Sequence, residues 1–227
     1  PATPQLAQDL LLDKLWLDEV IELLDEKRQV VLYGPPGTGK TYLAQALAEH
    51  LAGGVGAFEI VQFHPSYTYE DFFEGYRPVP GGAGKVDFAI KSGPLRRVAD
   101  AAAAAPNVPH VLIIDEINRA NLAKVSGELY FLLEYRDQPI SLQYSDMEFT
   151  LPENLHIIGT MNTADRSIAL VDAAVRRRFY FVEMSPAVAP VSEILSRWLA
   201  ARGMSDEPAR LLAGLNTRLG DPDAAIG

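Results

Sequence analysis

A glycine-rich segment limits the possible folds of this chain more than any other feature of its sequence. The segment satisfies the pattern G-x-x-x-x-G-K-[ST] and reads Gly34-Pro35-Pro36-Gly37-Thr38-Gly39-Lys40-Thr41. A short β-branched run, 29–33, precedes it, and apolar residues at helical spacing follow it from Leu43 to Leu51. The purely structural alternative is a Gly/Pro turn that only joins the two elements. Because the segment lies between a predicted strand and a predicted helix, the pattern favours a phosphate-binding loop in an α/β domain.

The chemistry of such a loop assigns a task to each part of it. Its glycines let the backbone curl, so that successive N–H groups point at phosphate oxygens. The helix that begins near Gly39 adds the positive end of its dipole. Lys40 can reach the β- and γ-phosphates of a nucleotide, and the hydroxyl of Thr41 can bind Mg²⁺. We therefore expect residues 34–41 to bind a nucleoside triphosphate with Mg²⁺.

Strand and helix patterns alternate over most of the chain. Predicted strands cover 29–33, 58–63, 111–114, 156–159 and 179–182, predicted helices cover 8–27, 43–51, 94–105, 121–134 and 168–175, and predicted hairpins cover 76–91 and 139–151. This alternation is typical of a mainly parallel sheet flanked by helices, which we expect over residues 1–185. From residue 186 the pattern is purely helical, at 190–201 and 206–219, which predicts a smaller α-helical subdomain over 186–227.

Acidic and amide side chains stand at the ends of two predicted strands. Asp115 and Glu116 follow one strand, and Asn162 ends another. In an open α/β sheet, ligands bind at the carboxyl ends of the strands. Asp115 could hold Mg²⁺, and Glu116 could orient and deprotonate an attacking water. We expect Asn162 beside Asp115, where its amide could position that water, although Asn is also a common turn residue.

Three adjacent arginines, Arg176 to Arg178, follow the predicted helix 168–175. Such arginines can neutralise charge that develops on a transferring phosphoryl group, and in ring NTPases they act on the neighbour's nucleotide. Favourable charge at a helix C-terminus is the ordinary alternative. Because the helix leaves the γ-phosphate region, we expect its end to point out of the domain, with Arg178 acting and Arg177 supporting or replacing it. Weaker candidates for this kind of role are Arg166 and Arg119.

The composition of the chain restricts the partners that it can bind and the cellular compartment in which it is expected. The net charge of −10 argues against a broad DNA-binding face, since such faces are usually basic. If the protein acts on DNA, other domains or subunits are expected to supply most of the contacts. No apolar run approaches the length of a membrane span, and no signal peptide is visible. The chain contains no Cys, which excludes disulfides and fits a reducing cytoplasm.

Several strings of residues resemble those of one family. They are Asp115-Glu-Ile-Asn-Arg-Ala-Asn121, Met161-Asn-Thr-Ala-Asp-Arg-Ser167, Val171-Asp172, Arg176-Arg-Arg-Phe179 and Phe63-His-Pro-Ser-Tyr-Thr-Tyr-Glu-Asp-Phe72. They closely resemble the McrB branch of the AAA+ proteins. The resemblance covers about residues 29–184. A phosphate loop alone would not select this branch, but the Asn-Thr-Ala-Asp string does.

The resemblance implies a function and several site residues. Members of the branch use GTP where most AAA+ proteins use ATP, form hexameric rings, and pair with an McrC-type subunit that carries or recruits a nuclease. By position, Lys40 and Thr41 would bind phosphate and Mg²⁺, and Asp115 and Glu116 would form the Walker B pair. Asn162 would be the sensor-1 residue, and Arg177 or Arg178 the arginine finger.

The ends of the chain depart from the full family pattern. In the family a separate N-terminal domain reads modified DNA, and none precedes Pro1. The helical subdomain is short, so we expect an excised motor core with an incomplete lid. We also expect the helix before the first strand, with the residues ahead of it, to line part of the base pocket.

Three other functions remain open. One is an ATP-driven MoxR-like or midasin-like AAA+ chaperone that remodels protein partners, which a nucleotide-preference assay would distinguish. A second is a scaffold that binds nucleotide without hydrolysing it, although Glu116, Asn162 and Arg178 argue for turnover. A third is a small-molecule P-loop kinase, which has no use for a distal arginine cluster.

Overall fold

The computed structural model of the chain describes residues 1–82, 85–163 and 173–227. Its strands, in chain order, are β1 (Gln29–Gly34), β2 (Phe58–Gln62), β3 (Glu74–Pro80), β4 (Val86–Ser92), β5 (His110–Asp115), β6 (Ile140–Ser141), β7 (Glu148–Phe149), β8 (Leu155–Asn162) and β9 (Tyr180–Glu183). Five of them form the main sheet, in the order β2-β5-β8-β1-β9, and every neighbouring pair in it is parallel. The predicted α/β fold with a mainly parallel sheet is therefore confirmed.

Helices surround this sheet and extend beyond it. They are α1 (Pro4–Leu10), α2 (Lys14–Lys27), α3 (Lys40–Ala52), α4 (Tyr69–Phe72), α5 (Pro94–Ala104), α6 (Leu122–Ser126), α7 (Leu129–Leu132), α8 (Ala173–Arg178), α9 (Ile194–Ala201) and α10 (Glu207–Leu219). Among the described residues, no helix is long and apolar enough to cross a membrane.

The main sheet separates two apolar cores. On β5, Val111 and Ile113 face one core and Leu112 and Ile114 face the other, because successive strand residues point to opposite sides. The first core contains buried side chains of α2 and α3, and the second contains those of α4 to α7. A strand that is covered on both faces explains the continuous apolar run in the sequence.

The predicted helix over 8–27 is wrong in one respect, because the structure has two helices there. Leu11 adopts a left-handed conformation with φ of 56° and ends α1. Asp13 then caps α2, since its Oδ1 accepts hydrogen bonds from the N–H groups of Leu15 at 2.8 Å and Trp16 at 3.3 Å. The intervening segment lies beside the phosphate loop, as described below.

The predicted helix over 121–134 is also interrupted. Gly127 ends α6 with φ of +52°, and a Cβ at this position would lie 3.1 Å from the ring of Tyr69. Both the backbone conformation and the close ring favour glycine here. Helix α7 is therefore short, and the carbonyl oxygen of Leu133, just after it, accepts a hydrogen bond from Gln29 of β1.

Both predicted hairpins are present. Strand β3 pairs with β4, and the much shorter β6 pairs with β7, each in the antiparallel sense. Gly84 of the first turn lies outside the described residues, as does most of the predicted helix 168–175. The described helix α8 contains the three arginines instead of preceding them. Helices α9 and α10 match the predicted helical segments, while the division at residue 186 stays a prediction.

Candidate nucleotide-hydrolysis site

The carboxyl ends of β1, β5 and β8 bring the predicted site residues to one edge of the sheet. Gly34, at the end of β1, is the register partner of Asn162, at the end of β8. On the other side of β8, Ile114 of β5 pairs with Gly159, which places Asp115 next to Thr160. The phosphate loop, the acidic pair and the polar end of β8 therefore converge, as the sequence predicts.

The loop between β1 and α3 has the geometry of a phosphate cradle. Gly37 and Gly39 adopt φ of +84° and +82°, a region that other residues rarely enter. Gly39 precedes α3, and no side chain in the described part of the chain caps the first turn of that helix. The N–H groups of this turn and the positive end of the helix dipole suit an anion.

Lys40 is buried within this loop. Its Nζ donates to the carbonyl oxygen of Pro35 at 2.7 Å and to that of Gly34 at 3.1 Å. Burial lowers the pKa of Lys40, while the nearby carboxylates of Glu116 and Asp115 oppose the shift. An anionic phosphate in the cradle would favour the charged amine in the same way.

Oxygen ligands for a divalent cation lie beside the cradle. The Asp115 Oδ1 atom accepts hydrogen bonds from the Oγ1 atoms of Thr41 at 2.7 Å and Thr160 at 2.6 Å. A carboxylate next to a hydroxyl fits Mg²⁺, which prefers hard oxygen ligands and binds through one or two carboxylates together with substrate phosphates. Sequence reasoning missed Thr160. The signal was its position two residues before Asn162, because alternate residues of a strand share a face.

Glu116 is held by an amide and approached by a guanidinium. Asn162 Nδ2 donates to its Oε1 atom, and Arg119 Nε lies 3.4 Å from its Oε2 atom. The expectation that Asn162 lies beside Asp115 needs correction, because Thr160 occupies that place and Asn162 reaches the next acid. Glu116 has φ of 55°, an unfavourable backbone conformation that often marks functional sites. Arg119 therefore contacts Glu116 of its own chain.

Two adjoining cavities meet at the phosphate loop. The smaller, of about 240 Å³, is lined by the loop and by Asp115, Glu116, Thr160 and Asn162. The larger, of about 780 Å³, is lined by the segment 8–12, by residues 37–39 and by side chains of α9 and α10. The expectation that residues ahead of the first strand line a pocket beside the loop agrees with this geometry.

The two arginines that are alternative candidates for the arginine finger, Arg177 and Arg178, differ in their exposure. Only 7% of the Arg178 side chain is exposed, and its guanidinium lies over the Tyr130 ring, 4.3 Å from the centroid. The Arg177 side chain is 61% exposed. The expectation that Arg178 points out of the domain is therefore wrong, because the aromatic ring and Glu134 hold it inside. Arg166 lies outside the described residues, and the arginine-finger role stays a prediction.

We expect Lys40→Ala to weaken nucleotide binding strongly. The substitution removes a charge-assisted contact to the β- and γ-phosphates, worth about 1.5–3 kcal/mol or more. Titration with a fluorescent nucleotide measures the change, and Lys91→Ala on the exposed strand β4 is a suitable control. Wild-type affinity in Lys40→Ala would show that the phosphate loop is wrongly assigned.

Comparisons with known proteins agree with this geometry. A family model described as "AAA domain (dynein-related subfamily)" matches residues 29–179. The chain is 43% identical over 187 residues to the type IV methyl-directed restriction enzyme EcoKMcrB subunit of Escherichia coli, covering 78% of this chain and 40% of that protein. It is 31% identical over 192 residues to the type II restriction enzyme BsuMI component YdiS of Bacillus subtilis, covering 68% and 56%.

A solved structure supports the fold. It is a crystal structure from Cytophaga hutchinsonii, of a protein assigned to the ATPases, with a TM-score of 0.51 and 18% identity. The match covers 86% of this chain and 53% of that one. The chain thus spans about half the length of the proteins that it matches. The family model covers most of the α/β core, including the phosphate loop, Asp115, Glu116 and Asn162. The chain belongs to the dynein-related subfamily of AAA domains and is an McrB-like AAA+ protein.

Proposed function

We propose that this protein hydrolyses GTP with Mg²⁺ as the motor of a DNA restriction complex. The observation that carries the hydrolysis is the meeting of Lys40, Asp115, Glu116 and Asn162 at one edge of the sheet. A phosphate cradle, a cation site and a carboxylate able to act as a base are the parts that phosphoryl transfer to water requires.

Each of these residues has a part in the reaction. The loop 34–41 and Lys40 bind the phosphates, while Thr41 and Asp115 would hold Mg²⁺, which neutralises charge on the phosphate oxygens when bound. Glu116 accepts a proton from water as the water oxygen bonds to the γ-phosphorus. The bond from that phosphorus to the bridging oxygen then breaks, and the diphosphate leaves. Asn162 orients the Glu116 carboxylate through its amide.

The preference for GTP has support in the larger cavity. Gln8 and Asp9 line this cavity, which adjoins the phosphate loop. The exposed Asp9 carboxylate accepts a hydrogen bond from Gln5 Nε2 at 2.7 Å through one oxygen, Oδ1. Guanine presents two donors side by side, its N1–H and its exocyclic N2–H, and one carboxylate can accept from both. Adenine has an acceptor at N1, which a carboxylate repels. We infer that Asp9 favours guanine in this cavity.

We expect Asp9→Asn to reduce the ratio of GTP affinity to ATP affinity by about tenfold or more. The substitution replaces a charged acceptor, and hydrogen bonds to charged groups contribute about 1.5–3 kcal/mol. Competition of GTP and ATP against a labelled nucleotide gives the ratio, with Asp100→Asn on α5 as the control. An unchanged ratio would place base recognition elsewhere. An ATP preference in the wild type would favour the ATP-driven remodelling chaperone.

The same proposal includes a ring and partners. Its basis is the similarity to two restriction-enzyme components, together with the net charge of −10, which favours DNA contacts by other domains or subunits. We propose a hexameric ring and an McrC-like, nuclease-bearing subunit that stimulates hydrolysis. The test is hydrolysis of GTP against ATP with and without the McrC-like protein of a neighbouring gene. Failure of that protein to change GTP turnover would count against this partner.

In such a ring we propose that Arg177 completes the neighbour's site. Its guanidinium is the more exposed of the two at the end of α8, with 61% of the side chain exposed against 7% for Arg178. A guanidinium binds two phosphate oxygens with its planar fork and keeps its charge. Head-to-tail contacts in a closed ring place the same surface of each subunit against its neighbour's site.

A further inference from the structure

Side chains from distant parts of the sequence bind the carbonyl groups at the end of α8. Lys27 Nζ donates to the carbonyl oxygen of Arg177 at 2.6 Å, and Gln29 Nε2 donates to that of Arg178 at 2.8 Å. The last carbonyl groups of a helix lack partners within the helix itself. The end of α8 is thereby fixed to the start of β1, the strand that leads into the phosphate loop.

The Gln29 amide is itself held in one orientation. The residue is fully buried, and its Nε2 also donates to the carbonyl oxygen of Leu133 at 2.5 Å. Its Oε1 accepts from Arg136 Nη2 at 2.8 Å. Arg136 Nη1 donates to the carbonyl oxygens of Pro152 at 3.0 Å and Leu155 at 2.8 Å, just before and at the start of β8. One network therefore connects α8 with β1, β8 and the end of α7.

The guanidinium groups are fixed by a shared carboxylate. Glu134 Oε2 lies 3.0 Å from Arg178 Nη2 and 3.2 Å from Arg177 Nη2. Because Arg178 is buried against Tyr130, it anchors Glu134, and Glu134 in turn contacts the exposed Arg177. The two arginines thus have different surroundings, although they are adjacent in the sequence.

We propose that Gln29, Glu134 and Arg178 are positioning residues that hold Arg177 in the direction of the neighbouring subunit's nucleotide. This inference rests on the proposed action of Arg177 across the subunit boundary. Displacing a reacting group by about 1 Å can lower the rate about 10²-fold. Loosening a network that fixes both the backbone and the guanidinium should therefore lower kcat measurably.

Mixed rings separate this role from a general structural one. A Lys40→Ala subunit can donate Arg177 but cannot hydrolyse nucleotide, whereas an Arg177→Ala subunit keeps its own pocket but donates no arginine.

Two variants weaken the network itself. Gln29→Glu retains the acceptor for Arg136 and removes both hydrogen bonds that Gln29 donates to carbonyl groups. Glu134→Gln removes the shared charge at a residue whose side chain is 33% exposed, which tolerates substitution better than a core position.

We expect each of these two variants to lose about 10- to 100-fold of kcat alone while binding fluorescent nucleotide like the wild type. Turnover should recover when either is mixed with Lys40→Ala, because that subunit supplies a well-placed arginine. It should not recover with Arg177→Ala, because neither subunit then supplies one. Glu59→Gln is the matched control, since its side chain is 31% exposed and pairs with Arg97 on another part of the surface.

The positioning role would be overturned if turnover recovered equally with Lys40→Ala and Arg177→Ala subunits, or with neither of them. Unchanged kcat in both variants would also overturn it. The mixture of Lys40→Ala with Arg177→Ala must itself be active. If it is inactive under conditions where rings form, the action of Arg177 across the boundary is wrong, and the positioning role is overturned with it.

Discussion

An Arg177→Ala variant is expected to bind GTP normally and to lose about 10³- to 10⁵-fold of kcat, the range for an arginine supplied to a phosphoryl-transfer site from a neighbour. Binding should persist because the phosphate loop, Lys40 and the larger cavity belong to the same chain and do not involve α8. Hydrolysis should fail because the variant removes the guanidinium that is proposed to stabilise the charge that develops on the γ-phosphate.

Two further variants test whether the loss of kcat is specific to the guanidinium of Arg177. Arg97→Ala removes an arginine of similar exposure, 52% against 61% for Arg177, from a surface ion pair and should leave kcat unchanged. Arg177→Lys should recover only part of the rate, because an ammonium cannot bind two phosphate oxygens as a planar fork does. Normal kcat in Arg177→Ala rings would remove this residue from the site.

Glu116→Gln is expected to lose about 10²- to 10⁴-fold of kcat, the usual contribution of a general base. The amide keeps the shape of the side chain and an oxygen that can accept from Asn162, so nucleotide affinity should stay near the wild-type value. Single-turnover hydrolysis measures the chemical step, and equilibrium titration measures the affinity. Turnover at the wild-type rate would mean that another group activates the water.

The edge of the sheet that carries the site is predictable from the sequence for a physical reason. A strand buried on both faces needs an uninterrupted apolar run such as 111–114, and its end is marked where Asp115 and Glu116 begin. The glycine pattern of the phosphate loop is equally local, because φ values such as that of Gly37 restrict the residue type. Local signals of this kind fix the positions of most site residues.

The helix break at Leu11 is harder to predict because the apolar spacing continues through it. Leu10, Leu12 and Leu17 are all buried in the same core, although Leu12 belongs to no helix. Periodicity reports which side chains face the core and does not require a continuous helix. The capping residue Asp13 was the available signal.

The direction of each arginine could not be predicted from adjacent positions. Neighbouring helix residues point about 100° apart, so only one or two of three consecutive side chains can face solvent freely. Which of them is buried depends on Tyr130 and Glu134, which lie more than forty residues earlier in the sequence. The tertiary contacts, and not the local sequence, make Arg177 the exposed member of the pair.

We propose that each hydrolysis site is built from two chains. The direct test is steady-state phosphate release from GTP, measured for equimolar Lys40→Ala and Arg177→Ala subunits at concentrations where rings form. We predict that the mixture regains hydrolysis that neither variant shows alone, because intact pockets then lie beside intact arginines. A mixture as inactive as its two components would contradict a site shared between subunits.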